Sequence, residues 1–239
     1  MLNPNVPPQS PGWISSSGAE VQAQVQAFIR SAYGWMFGGL ALTALAAMWV
    51  WLSPAMQQIV FGTPGVALAL IVVELGLVIW LSFRIQKMSP ATAASAFLVY
   101  SLLNGLTLSV ILFVYTSGSI FQAFFTASAM FGAMSVYGMV TRRDLTSWGS
   151  FFFMGLIGVI IAAVINLFLR SPALDFAISL IAVFVFVGLT AYDTQKLKRY
   201  AVMAPPDLVT NFAVIGALAL YLDFINLFLA LLRLTGSRR

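Results

Sequence analysis

Residues 176–201 read "FAISLIAVFVFVGLTAYDTQKLKRYA": seventeen uncharged, mostly apolar residues, then Asp193 and the basic cluster Lys196, Lys198 and Arg199. Roughly 17–25 predominantly apolar residues cross a bilayer as a helix, so the run is a membrane span. Asp193 lies at its inner edge, before the basic cluster that marks the membrane surface. A carboxylate there is expensive unless it has a partner or a task. The rest of the chain has to supply one or the other.

Composition supports a membrane reading throughout. The 239 residues are 61% hydrophobic and 8% charged, with a mean hydropathy of +0.96, whereas soluble domains carry roughly 25% charged residues. Lipid is therefore the main solvent. There is no cysteine and no histidine, which removes disulfides, thiolate chemistry, the usual zinc ligand and the usual general base. No cofactor is expected. The net charge of +5 does not point to nucleic acid, because the basic residues cap apolar segments, as membrane topology requires.

Residues 1–30 are read as a disordered, Pro- and Ser-rich tail followed by a short interfacial helix, "AEVQAQVQAFIR". The start lacks the basic-then-apolar order of a secretory signal peptide. Residues 31–239 form one transmembrane domain. Seven apolar segments are predicted at 31–53, 64–83, 91–115, 119–140, 146–169, 173–194 and 208–232, giving an all-α, polytopic fold. The connections are too short for a soluble domain, and no internal repeat is evident.

Loop charge sets the orientation. With the N-terminus cytoplasmic, the inner side holds Arg30, Arg84, Lys87, Arg142, Arg143, Lys196, Lys198 and Arg199, against Arg170, Arg233, Arg238 and Arg239 outside. The C-terminus is thus expected outside. The basic C-terminal tail dissents, and a six-span reading with a re-entrant last segment would bring it inside.

Three of the seven acidic residues fall inside apolar segments: Glu74 in "LIVVELGLVIW" (70–80), Asp193, and Asp223 in "LALYLDFINLFLALL" (218–232). Asp223 has no loop within reach for snorkelling, so it must face the bundle interior. Asn226 shares its helix face and extends the polar strip. Segments six and seven are antiparallel neighbours. With segment six continued through "TQKLKRYAV" and the turn at "APPD", Asp193 lies about 15 Å and Asp223 about 24 Å from the turn. Tilt or an unwound start to segment seven would bring them level. Two carboxylates that meet in low dielectric share one proton and titrate as a pair. Such a pair is a pH-sensitive latch or a transient, weak site for a hard cation such as Ca²⁺.

Structural alternatives stand beside each reading. Asp193 can pair with Lys196 one turn away. Glu74 can be a protonated packing residue. Arg84 is a topology anchor or, functionally, a counter-ion to Asp193. The glycines Gly38, Gly39, Gly105, Gly132, Gly155, Gly158, Gly188 and Gly216 are read as permitting close helix packing.

The motifs "VFVGLTAYDTQKLK" (185–198) and "ALALYLDFINLFLALLRL" (217–234), with weaker support from "MFGAMSVYGMVTRRDL", "LNGLTLSVILFVYT" and "AYGWM", resemble the Bax inhibitor family, in its bacterial inner-membrane branch. The resemblance implies a seven-helix bundle with the last helix central and ringed by the other six. It implies that Asp193 and Asp223 are paired aspartates sensing pH for a calcium leak. It also implies a basic latch on segment two, for which Arg84 is the nearest residue, one position out of step with the pattern.

The leading functional reading is a pH-gated cation leak, with Ca²⁺ as the permeant ion. An intramembrane aspartyl protease is the enzymatic rival. It fails because leucines (Leu220 and Leu222) flank Asp223 where that family needs glycines, and no later helix carries a "PAL" motif. The protein is not read as an enzyme. The other rival is a non-conducting regulator that binds a membrane protease or other membrane proteins.

Overall fold

The computed structural model describes residues 18–239, so the predicted tail lies outside the described residues. Seven long helices follow: α1 (Gly18–Leu52), α2 (Val66–Arg84), α3 (Pro90–Leu108, resumed after Ser109 as Val110–Val114), α4 (Ser117–Val140), α5 (Thr146–Leu169), α6 (Pro172–Met203) and α7 (Val209–Thr235). Each contains a stretch long and apolar enough to cross a membrane.

Helix starts are written in the sequence. Ser53-Pro54, Ser89-Pro90 and Ser171-Pro172 each place a hydroxyl N-cap before a proline in the first turn. The serine oxygen accepts an otherwise orphaned backbone N–H, and proline has none to lose. Thr116 caps α4 in the same way, accepting from Ser119 N at 3.3 Å.

Two helices outrun the predicted spans. Residues 19–30 are not a separate interfacial helix but the first turns of α1. They hold good helix formers and no Gly or Pro before Arg30, so nothing stops propagation. On the same side of the bundle α6 has 32 residues, about 48 Å of helix against a hydrocarbon core of about 30 Å. Its end, with Lys198 and Arg199, projects beyond the bilayer.

Helix α7 is the bundle's axis. It packs against α1, α3, α4 and α6, and Val214, Leu218, Tyr221, Leu227 and Leu232, at varied positions around it, are all buried. The ring around it is not closed by all six remaining helices, as the resemblance implied. Helix α2 packs chiefly on α3, and α5 chiefly on α6. In α5 only Gly149 is buried, while Phe151, Phe153, Ile160, Ile161 and Phe168 are exposed. Lipid solvates such a surface as well as protein does, so no apolar force draws α5 inward. A lateral gap therefore remains between α2 and α5.

Close packing elsewhere relies on glycine. A methyl at Gly105 would run into the Thr43 carbonyl of α1, and one at Gly138 into the Ala191 carbonyl of α6. Gly38, Gly132 and Gly158, expected to pack, have open space instead.

The C-terminus is strapped to the α3–α4 connection. Thr116 N donates to Ser237 O at 3.1 Å, Arg239 N to Val114 O at 2.9 Å, and Ser237 N to Ser119 Oγ at 2.9 Å. Helix α7 thus runs the length of the bundle, and its end lies opposite the start of α1. A re-entrant last segment, as in the six-span alternative, does not match this path.

Candidate functional site

Asp193 sits on a turn of α6 that is fixed from three sides. Thr194 Oγ1 and Tyr33 Oη of α1 are 3.1 Å apart. Gln195 bridges the α4–α5 loop, accepting from Leu145 N at 2.9 Å and donating to Arg143 O at 2.8 Å. Arg199 donates to Thr146 Oγ1 at 2.6 Å and lies 3.8 Å from Asp144 Oδ1. Three polar ties within two turns hold this carboxylate in register with the helices around it.

Asp223 is 4% exposed and is held by the neighbouring turns of α7. Tyr221 Oη donates to Asn104 Oδ1 of α3 at 3.0 Å and lies 2.6 Å from Thr43 Oγ1 of α1. Asn104 Nδ2 in turn donates to Glu74 Oε2 at 3.2 Å, and Thr107 Oγ1 donates to Glu74 Oε1. At the start of α7, Asn211 Nδ2 donates to Ile85 O at 2.7 Å and Met88 O at 2.8 Å. These bonds pin α7 to α1, α2, α3 and the α2–α3 turn.

Between these anchors Asp193 of α6 and Asp223 of α7 line the wall of one cavity. Carboxylates only accept, so a hydrogen bond between the two requires that the pair hold a proton. Asp223 Oδ2 is fully buried and has no hydrogen-bond partner among the described residues. The cation beside the pair is Lys196, whose Nζ is 4.0 Å from Asp193 Oδ1. It lies over the rings of Tyr192 and Tyr200 at 5.8 and 5.5 Å, a setting in which ring quadrupoles favour an ammonium.

A cavity of about 920 Å³ opens at the α2–α5 gap and reaches the pair. Glu74, Asp193, Asp223 and Asn226 line it among apolar walls, with Lys196 toward one end and Arg233 toward the other. A second cavity of about 290 Å³ lies on the other side of Asp193 and Lys196, reaching Ser82 and Tyr200. The two side chains line both spaces.

The structure thus brings together Asp193, Asp223, Glu74 and Asn226 around one cavity. Asn226 Nδ2 is turned back to Leu222 O at 2.8 Å. Arg84 is exposed at the end of α2, and no ion pair joins it to Asp193 among the described residues. Among the described residues, no group of three His, Cys, Asp or Glu converges as a tight metal site. The Thr43–Tyr221–Asn104–Glu74 network was not foreseen. Its signal was Asn104 and Thr107, two polar residues one turn apart within an apolar segment.

Outside the membrane, Asp144 is held below the ordinary carboxylate range, chiefly by the Thr146 hydroxyl and backbone N–H and further by Arg199. It fixes the loop that grips α6.

Residues 25–239 match the family model Bax1-I, inhibitor of apoptosis-promoting Bax1. The chain belongs to the Bax inhibitor family. It is 46% identical over 228 residues to inner membrane protein YbhL of Escherichia coli K12, covering 94% of this chain and 97% of that protein. An uncharacterized protein of Rickettsia prowazekii is 44% identical over 213 residues, covering 89% of this chain and 90% of its own. One from Borreliella burgdorferi is 43% identical over 214 residues, covering 89% and 92%. The family membership agrees with the two aspartate motifs, which occupy the facing helices α6 and α7.

Proposed function

We propose that this Bax inhibitor family protein is a pH-sensitive cation leak of the inner membrane, with Ca²⁺ as the principal ion and the Asp193–Asp223 pair as its sensor. The observation that carries this reading is the position of the pair on the lateral cavity, with Asp193 also reaching the second cavity and Lys196 beside it. A proton shared by the carboxyls holds them together; its loss makes them repel and frees oxygens for a hard cation. Lys196, paired with Asp193 on the same helix, favours the ionised form of that carboxyl and so sets the pH at which the pair parts. Purified protein in proteoliposomes should pass Ca²⁺ with a rate that depends on pH. Flux no greater than in empty liposomes at every pH sinks the proposal.

The orientation proposed is N-terminus cytoplasmic and C-terminus outside, because Arg142, Arg143, Lys198 and Arg199 gather at one end of the bundle. A C-terminal reporter that works only after export should be active; activity of a cytoplasm-dependent reporter at that end overturns the assignment. A second reading, a regulator of membrane proteins, draws on α5, whose exposed apolar surface could receive a partner helix. It predicts no ion flux and co-purification with a membrane protein.

A further inference from the structure

The leak needs only a narrow route for ions, yet the lateral cavity is about 920 Å³. Pockets for drug-sized ligands are roughly 300–1,000 Å³. Its walls are mainly apolar, including Leu75 and Val78 of α2, Phe153 and Ile160 of α5, and Phe186 of α6. It opens where α2 and α5 fail to meet, so access is from the bilayer. We propose that this cavity binds a lipophilic organic monocation, an apolar body carrying one diffuse positive charge, which enters from the membrane between α2 and α5.

Charge chooses the ligand. The middle of the cavity carries Glu74, Asp193 and Asp223, and the cations stand at its ends. Lys196 is engaged with Asp193. Arg233 lies ten residues beyond Asp223, about 15 Å along α7. Glu74 already accepts two hydrogen bonds. Asp223 Oδ2, buried and without a hydrogen-bond partner among the described residues, is the oxygen left to receive a charge. A buried carboxylate of that kind gains from a counter-charge that is itself cheap to desolvate.

Charge also disfavours a phospholipid amine as the source. An aminophospholipid headgroup would bring its phosphate into a space already lined by Glu74, Asp193 and Asp223, where like charges repel. A free cation with an apolar body brings no anion.

The site uses the carboxyl pair of the proposed leak, but binding does not require conduction. The test is equilibrium binding to the purified full-length protein, without an ion gradient, with empty micelles subtracted. Tetraphenylphosphonium should bind saturably; tetraphenylborate, the same size with opposite charge, should not. Asp223→Asn should weaken the cation at least tenfold. Ala163→Trp on lipid-facing α5, which narrows the cavity and leaves the carboxyls intact, should weaken it as well. No saturable binding of the cation overturns the proposal, as does equal binding of both ions or full affinity in Asp223→Asn. A protein that conducts Ca²⁺ but fails these tests removes this site alone, and one that binds the cation but never conducts removes the leak alone.

Discussion

Lys196 Nζ lies 4.0 Å from Asp193 Oδ1 on the same helix, and together the two side chains line both the lateral cavity and the smaller one beside it. A contact made within one helix does not by itself join helices. Its effect comes from Asp223, which faces the same carboxyl from α7. Lys196 competes with the shared proton for Asp193, so it sets how tightly α6 and α7 hold together.

Lys196→Met should therefore favour the shared proton and lower leak at the pH where wild type is open. The lysine side chain is 35% exposed, so its loss should cost about 1 kcal/mol, roughly a fivefold change in a two-state equilibrium. Asp193→Asn should absorb most of that effect in the double variant, because both changes act on one interaction. Arg84→Ala, on an exposed residue with no partner at the pair, should change leak less than Lys196→Met. Proteoliposome flux for the four variants checks this; a larger effect from Arg84→Ala would restore it as the latch.

Asparagine at either position of the pair removes the like-charge conflict and keeps the shape. Asp193→Asn and Asp223→Asn should both fold and should both lose the pH dependence of flux. The profile should become flat rather than shifted, since no second carboxyl remains to share the proton. A wild-type profile in both variants would place the sensor elsewhere, with Glu74 next.

Much of this arrangement is legible in the sequence. Apolar length and Ser-Pro caps give the span limits to within a few residues, because each helix must cross the same thickness of lipid; the start of α1 and the end of α6, which continue past the apolar stretch, are the exceptions. Asp193 and Asp223 stand out because a charge inside an apolar run has few explanations. Their meeting was harder to read. Helix α7 starts at Val209, which puts Asp223 about 21 Å from the turn rather than about 24 Å. The remaining offset from Asp193 is about one helical turn, left for the side chains to span where the helices approach closely: a methyl at Gly216 would meet the Leu197 side chain. The α2–α5 gap was not legible at all, since an apolar helix facing lipid and one facing protein have the same composition. Tyr221 and Thr43 stayed hidden for a related reason, as hydroxyls are common in spans that carry no network.

Asp144 offers a control with a definite sign. Its folded pKa is lowered, first by the Thr146 hydroxyl and then by the Thr146 N–H. A depressed carboxyl contributes stability that is present above its unfolded value, about 3.9, and lost as pH falls through the folded value. It therefore stays ionised throughout the range of about pH 5 to 8, above both values. Asp144→Asn should leave the shape of the flux profile over that range unchanged while loosening the loop that grips Gln195 and Arg199. Amide exchange in residues 141–146 should rise. A displaced flux profile in this variant would mean that the loop, not the buried pair, reads pH.

Ion binding should be weak, and the donor set says why. Asp193, Asp223 and the carbonyl oxygen of Asn226 supply fewer oxygens than the roughly six to eight of a tight Ca²⁺ site, and Lys196 opposes a cation at Asp193. Weak binding suits passage, because an ion held tightly does not leave. Protons compete for the same oxygens, so affinity should fall as pH drops. Calorimetry or ⁴⁵Ca²⁺ equilibrium dialysis on the purified protein should give low affinity at neutral pH, weaker still in acid and lost in Asp223→Asn. Lys196→Met should bind more tightly than wild type, since it removes the competing charge without touching an oxygen. Binding that survives Asp223→Asn would move the ion site to Glu74. No binding at any pH, in wild type or Lys196→Met, would remove the ion from the mechanism and leave the regulator reading.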